Sequence, residues 1–458
     1  MKLAFGKGRV SSLQWLYREA GLAPDVQRSL NFMMLGNLCG SLFGIICGAS
    51  TASMVGLAND LHAGDFAYGL INGIPQAAML LQIPFAMLVS RTQKRKRYIL
   101  TYGLFARMLW VFFGMLPALS ARAGSGAPLR ALIVLLAISS CCSAAVNVCW
   151  FPWFSDLAPA RIRGQWFSIR DTIIAACNLC FGILVARMLD TLPANSRYVV
   201  VFIIGGILGM ADMICFGFCK EVYSSQPVKM AASAIGNVLK DKPFMRLILM
   251  WTAWCFTANL CEPYLSRYSI NEMGLNFTQM MIFGTAASSL MTIFVMRRWG
   301  RAVDRFGCRS VMLVATVGAA LANAAYLFST PGNVVPVMLR NALGAAFWCG
   351  SNLAATNMQL YASPDKTRPI YIAVFSCATA LLGTALGSLT GGLLLEVWET
   401  AGWFNGAFDR YKAIIALATV LRLIVVATMV PPLSNDRDGT PQMLIHSIFS
   451  ALTGRERT

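Results

Sequence analysis

The sequence predicts an all-α polytopic membrane protein, with twelve transmembrane helices arranged as two pseudo-symmetric six-helix bundles. Three observations predict it. Hydrophobic residues make up 57% of the 458 residues and charged residues 13%, about half the charged share of a soluble domain. Twelve stretches are apolar over the roughly 20 residues that a helix needs to cross a hydrocarbon core of about 30 Å. The 38 Lys and Arg fall mainly on alternate connections between those stretches. This composition excludes an ordinary soluble enzyme, a disordered chain and a secreted disulfide scaffold.

Lipid offers backbone groups no partners, so the apolar stretches must be helices. The short alternating segments of an outer-membrane barrel are not present. The expected spans, α1 to α12 in chain order, begin with α1 over 31–59, rich in glycine, and α2 over 66–90, which ends on Arg91 and the basic run Lys94–Arg97. After that run come α3 over 98–119 and α4 over 129–155. Next are α5 over 167–190 and α6 over 198–219, closed by Lys220. A polar connection leads to α7 over 244–265 and α8 over 277–296, closed by Arg297 and Arg298. The last four are α9 over 310–329, α10 over 334–361, α11 over 369–394 and α12 over 411–432.

The net charge of +18 invites a nucleic-acid reading, but the positions of the charges argue against it. The N-terminus and the even-numbered connections hold 25 Lys and Arg, the C-terminal tail adds three, and the opposite side holds six. Positive residues stay inside, so both termini are expected in the cytoplasm of a multi-pass inner-membrane protein. The expected organisation is a cytoplasmic segment over 1–30, a bundle over 31–219, a linker over 220–243, a second bundle over 244–432 and a tail over 433–458. Residues 1–30 lack a signal peptide. Ser11–Gly21 is either a short amphipathic surface helix or plain tail.

The 14 cysteines lie almost entirely inside spans, where Cys acts as a small hydrophobe. With only two histidines, His62 and His446, and no clustered nucleophile and base, the sequence predicts no enzyme, no metal site and no cofactor.

Two internal repeats follow. Gly300-Arg-Ala-Val-Asp304-Arg305-Phe-Gly307-Cys-Arg309 after α8 matches Ala86-Met-Leu-Val-Ser90-Arg91-Thr-Gln93-Lys-Arg95 after α2, at an offset of 214. Pro159-x3-Arg163-x2-Trp166 after α4 matches Pro364-x3-Arg368-x2-Tyr371 after α10, at an offset of 205. Repeats of equal polarity imply parallel duplication about an axis along the membrane normal.

On these motifs the chain resembles the major facilitator superfamily of secondary transporters along nearly its whole length. Gly300, Asp304, Arg305, Gly307 and Arg309 match that family's G-x-x-x-D-R-x-G-x-R loop. The resemblance implies a gating role for these residues and for Arg91, Arg163 and Arg368, latching the cytoplasmic helix ends in the outward-facing state. Ser90 stands where the first copy of the motif has its aspartate. The arginine within helix 4 and the Gly-Pro of helix 5, common in the family's proton-coupled antiporters, are not found here.

The resemblance also implies that α1, α4, α7 and α10 face a central path. At 100° per residue, Asn341, Trp348, Asn352 and Gln359 fall within about 20° of one line on α10. Polar groups are costly in lipid, so this stripe must face protein or water. Asn147, at the repeat position of Asn352, stands near Trp150 on α4. Trp251 and Asn259 on α7 and Asn37 on α1 complete the expected substrate-binding set. Rings and amides suit a polyhydroxylated ligand, though each also suits helix packing.

Among intramembrane charges, Glu262 either carries a coupling proton or pairs with Arg340. The alternative is a structural ion pair or an interfacial acid. The expected function is secondary transport of a small polar solute, of the sugar or glycoside kind, by alternating access. The partners are the lipid bilayer, a small-molecule substrate and a proton or sodium ion, as in symport, with a monomeric protein and no nucleic acid. Efflux of drugs or amphiphilic metabolites is the main alternative and a transporter-like sensor a minor one.

Overall fold

The structure is a computed structural model and describes residues 17, 20–92, 94–123, 126–221, 236, 238–364, 367–404, 406, 408–433 and 442–443. The expected basic residues Lys2, Lys7, Arg9, Arg18, Lys229, Lys366, Arg437, Arg455 and Arg457 lie outside the described residues. So do most of the surface segment Ser11–Gly21, the linker over 222–235 and nearly all of the tail.

The chain folds as an all-α multi-pass membrane protein. Among the described residues, ten helices are long and apolar enough to cross a membrane by length and composition. The other two expected spans are α3, over 95–113, and α10, Val335–Ala362. α10 falls short because it carries Arg340, Asn341, Asn352, Asn357 and Gln359.

Several helix limits correct the expectations. α1 starts at Pro24, and α3 stops at Phe113 with Leu116–Ala123 as a separate short helix. α4 spans Gly126–Leu157 and α5 Ala160–Thr191, so Arg161, Arg163 and Arg170 sit on α5 and not in a connection. α8 spans Phe277–Phe306, which puts Arg297, Arg298, Arg301, Asp304 and Arg305 on the helix. Hydropathy sees only the hydrocarbon zone, and these helices continue beyond it into the interface.

The remaining spans are α2 (Asp65–Val89), α6 (Ala194–Gly217), α9 (Cys308–Phe328), α11 (368–400) and α12 (Arg410–Met429).

Besides α3, two spans expected to be continuous are broken. α1 runs over Pro24–Ile46 and resumes as Ala52–Asp60. Gly48 lies in the break, and the Thr51 hydroxyl donates to the Ile46 and Gly48 carbonyls at 2.9 and 2.8 Å. α7 runs over Lys242–Asn259 and resumes as Glu262–Asn271. Pro263 has no amide to give the ladder and disfavours helical backbone before it. Cys47 and Cys261 mark the two breaks, 214 residues apart.

The second repeat also has a structural counterpart. Arg163 Nε donates to the Ala158 carbonyl at 2.9 Å, and Arg368 Nε to Ser363 Oγ at 3.3 Å. Each arginine reaches back five residues and ties a helix start to the end of the helix before it. Gly307, at φ 82°, is the single residue between α8 and α9. This backbone region favours glycine.

We call the end that holds the start of α1 and the end of α12 the terminal end, and the other the distal end. α2 packs on α11 and α5 on α8, joining the halves. One apolar core includes residues of both halves, among them Tyr68, Tyr198, Tyr264 and Tyr411 near the distal end. The other two cores belong to one half each, around Trp153 and Trp166 and around Trp254 and Trp299.

Candidate functional site

The break in α7 sets Glu262 at the start of a helix segment, on the wall of a cavity between the halves. Its Oε1 accepts from Arg340 Nη2 on α10 and, at 3.3 Å, from Arg422 Nη2 on α12. Arg340 Nη1 also donates to Asn341 Oδ1 at 3.0 Å. Arg422 is buried and also donates to the Ala258 carbonyl at 3.1 Å, close to the break.

The other half carries its own ion pair. Arg107 on α3 lies 3.7 Å from Asp212 on α6 and stacks over the Phe43 ring at 4.0 Å. Gly40 of α1 lets Asp212 in: a Cβ there would collide with the carboxylate.

Glu262 lines three cavities. The first, about 640 Å³, lies between the halves and carries Ser50, Asn72, Gln76, Ser139, Ser140, Ser143, Asn147, Asn259 and Arg107 on its wall. The second, about 750 Å³, shares Ser50 and Ser266 with the first and adds Asn178, Ser269, Ser288, Arg340 and Asn341 between α1, α5, α7, α8 and α10. The third, about 330 Å³, lies inside the second half and holds Asn259, Arg340, Asn341, Trp348 and Arg422. Hydroxyls and amides that keep one lone pair or N–H free toward a cavity can meet a hydroxylated solute. Ser50 donates to Asn72 Oδ1 at 2.6 Å, while Asn72 Nδ2 donates to the Tyr68 carbonyl at 2.9 Å.

The structure brings Asn147, Asn259, Asn341, Trp348, Glu262 and Arg340 to these cavities. Trp251 is buried behind them, its ring 6.3 Å from that of Trp348. Trp150 stacks on Phe154 within the first half, with the Arg170 guanidinium 5.6 Å from its ring. Asn37 turns back to the Met33 carbonyl at 2.6 Å. Asn352 and Gln359 lie farther along α10 toward the terminal end, outside the three cavities.

The predicted gating residues sit at the terminal end. Asp304 and Arg305 are exposed, and Asp304 makes no ion pair with a described residue. Arg305 lies over the Phe306 ring at 5.2 Å. Gly300 faces open space, Arg309 is half-buried and Arg91 is exposed.

Sequence reasoning missed the serines and Asn72. The spacing Ser139-Ser140-x2-Ser143 in an apolar helix was the available signal. It also missed that Arg422 shares Glu262 with Arg340.

At the distal end the halves are tied together. Asp190 at the end of α5 accepts from the Phe277 and Thr278 amides of α8 at 3.0 and 2.9 Å, and from the Thr278 hydroxyl at 2.6 Å. Glu396 of α11 accepts from the Phe66 amide of α2 at 3.1 Å. Asp65 receives Arg267 at 3.0 Å, Arg410 at 3.5 Å and the Tyr411 hydroxyl at 3.1 Å, all from the second half.

The family model described as Major Facilitator Superfamily matches residues 34–298. The chain belongs to this superfamily. It is a membrane transporter and not an enzyme. No curated protein matches it in sequence.

Its fold is similar to that of the nucleoside transporter NupG (TM-score 0.61, 11% identity, covering 89% of this chain and 99% of that one). It is similar to the inward open conformation of the xylose transporter XylE from E. coli (TM-score 0.62, 14% identity, 91% and 99% covered). It also resembles a bacterial homologue of the human lysosomal transporter Spinster in an inward-facing, unoccupied conformation (TM-score 0.62, 14% identity, 91% and 96% covered). At these identities the likeness carries the fold of this superfamily member and no substrate.

Proposed function

We propose that this superfamily member is a secondary active transporter that moves a small polar solute, of the sugar or glycoside kind, across the cytoplasmic membrane. The observation that carries this reading is the cavity of about 640 Å³ between the halves, with its wall of serines, asparagines and glutamines beside Glu262. A site dominated by Phe and Met would have favoured amphiphilic drugs.

In this proposal the halves, 31–219 and 244–432, rock about the central site. With both termini in the cytoplasm, as the basic residues argue, the distal end faces outward. The ties of Asp190, Glu396 and Asp65 then correspond to an inward-facing state. Glu262 is the group proposed to carry a coupling proton in symport: ionised it pairs with the Arg340 and Arg422 guanidinia, and on taking a proton from water it releases them. The residues around Gly300–Arg309, with Arg91, Arg163 and Arg368, are proposed to latch the terminal end in the opposite state. The protein acts as a monomer.

The test is solute counterflow in proteoliposomes of the purified chain. Saturable exchange of a labelled sugar or glycoside, weakened by Asn147→Ala, is expected. Exchange of lipophilic cations with none of any polar solute would overturn the reading.

A further inference from the structure

The walls of the three cavities do not balance in charge. Among the described residues that line or back them, four arginines (Arg107, Arg170, Arg340 and Arg422) face three carboxylates (Asp171, Asp212 and Glu262). Arg107 pairs with Asp212 and Arg170 with Asp171. The excess therefore falls on the cavity of about 330 Å³ in the second half, where two guanidinia share a single oxygen of Glu262. Arg422 is 2% exposed there, and its Nε has no hydrogen-bond partner. Arg422 also donates to the Ala258 carbonyl and lies over the Trp254 ring at 5.7 Å, but two guanidinia on one carboxylate leave a positive charge in excess, which is costly in a buried site and more so at membrane depth. An ionisable group held inside a membrane protein points to a functional site by default.

We propose that this pocket is the subsite for the anionic group of the transported solute, and that the solute is a monoanionic polyhydroxy acid of the sugar-acid class. With Glu262 ionised, as its two ion pairs have it, one negative charge cancels the excess, while a dianion would leave the opposite imbalance. Guanidinium forks take a carboxylate through paired N–H donors. The Glu262 carboxylate occupies the place where a solute carboxylate would compete for Arg340 and Arg422.

Asn259 and Glu262 line both this pocket and the larger polar cavity. An acid anchored at Arg422 would thus extend its hydroxylated part toward Asn147 and Ser143. The Trp348 side chain, on the wall of the same pocket, offers a ring for the solute's carbon face. This inference rests on the reading of the central cavity as a polar-solute site and adds the charge of the solute.

The experiment is thermal unfolding of the purified full chain with matched probes: D-glucose against D-gluconate, D-galactose against D-galacturonate, sodium chloride, and a lipophilic cation. A ligand of the folded state raises the apparent melting temperature with its concentration. The acids are expected to stabilise more than their neutral partners. Glu262→Gln removes the internal competitor and should tighten acid binding about tenfold, the effect of freeing one charge-assisted hydrogen bond. Arg422→Gln should weaken it by at least about tenfold on the same grounds. Because Arg422→Gln can fail to fold, the gain in Glu262→Gln is the deciding readout.

Acid binding that Glu262→Gln leaves unchanged or weakens would overturn the subsite. So would a chloride shift equal to that of the acids, or no acid response in either protein. Binding of the neutral sugars alone would overturn the anionic subsite and leave the polar-solute reading standing. A response to the lipophilic cation alone would sink both.

Discussion

Asp190 and Glu396 hold matching places in opposite halves, 206 residues apart, and each accepts at the start of a helix in the other half, Asp190 from the first two backbone amides of α8 and Glu396 from the second of α2. Asp190 caps α8 from α5, and Glu396 caps α2 from α11. The first amides of a helix have no partner within it and favour negative charge. The distal end is thus held by two symmetry-related caps made across the two halves. A cap of this kind is formed only when the halves meet, so the rocking proposed for the halves would make and break it.

If these caps hold the distal end shut, Asp190→Asn and Glu396→Gln will loosen it. A lost cap costs about 1 kcal/mol, so amide exchange over residues 64–70 and 277–283 should rise about fivefold per cap removed. Exchange at the terminal end, around 300–309, should not rise in the same variants. Unchanged exchange at the distal end would refute the role of the caps.

Gly40 and Gly44 should respond differently to added bulk. A Cβ at Gly40 meets the Asp212 carboxylate, while Gly44 has open space. Gly40→Ala is expected to cost about 1–3 kcal/mol through overpacking against a buried ion pair. Gly44→Ala should be neutral or slightly stabilising. Melting of the two purified variants in detergent checks the contrast.

The wall of the central cavity makes a kinetic prediction. Asn147→Ala and Asn72→Ala each remove one amide and should raise the KM for exchange about tenfold, at about 1–1.5 kcal/mol per lost hydrogen bond. Asn352→Ala and Gln359→Ala, outside the cavities, should stay near wild type. Equal effects at all four positions would mean that the solute path runs along the whole of α10.

Glu262 separates exchange from coupling. If it carries the driving proton, Glu262→Gln will retain counterflow but lose accumulation driven by a pH gradient across the liposome membrane. Accumulation that survives this substitution would remove Glu262 from coupling and leave it as a structural partner of Arg340 and Arg422.

Much of the architecture was legible because the membrane imposes a single rule, twenty apolar residues per span, and because the basic residues mark alternate ends. The breaks in α1 and α7 were less legible. Gly48 and Pro263 signal them locally, but a continuous apolar run hides an interruption that hydropathy averages over. That Asn147, Asn259 and Asn341 face cavities was legible because an amide inside an apolar helix is costly unless something meets it.

Asn352 and Gln359 satisfied the same periodicity and yet lie beyond the cavities. A stripe fixes a direction around the helix and not a depth along it. The serines of α4 escaped notice because a serine can satisfy itself on its own helix backbone, so its presence in a span carries little information. That Arg422 shares Glu262 with Arg340 depends on how α7, α10 and α12 pack together, which no spacing within one helix encodes.

The proposed route for a small hydroxylated solute is the cavity between the halves. The most direct measurement is counterflow in proteoliposomes across sugars, sugar acids, amino acids and lipophilic cations, for the wild-type chain and for Asn147→Trp, which fills the cavity wall. Saturable exchange of a hydroxylated solute is expected, abolished by Asn147→Trp while the variant melts like the wild type. Exchange of lipophilic cations alone, or exchange of a polar solute that Asn147→Trp leaves intact, would contradict it.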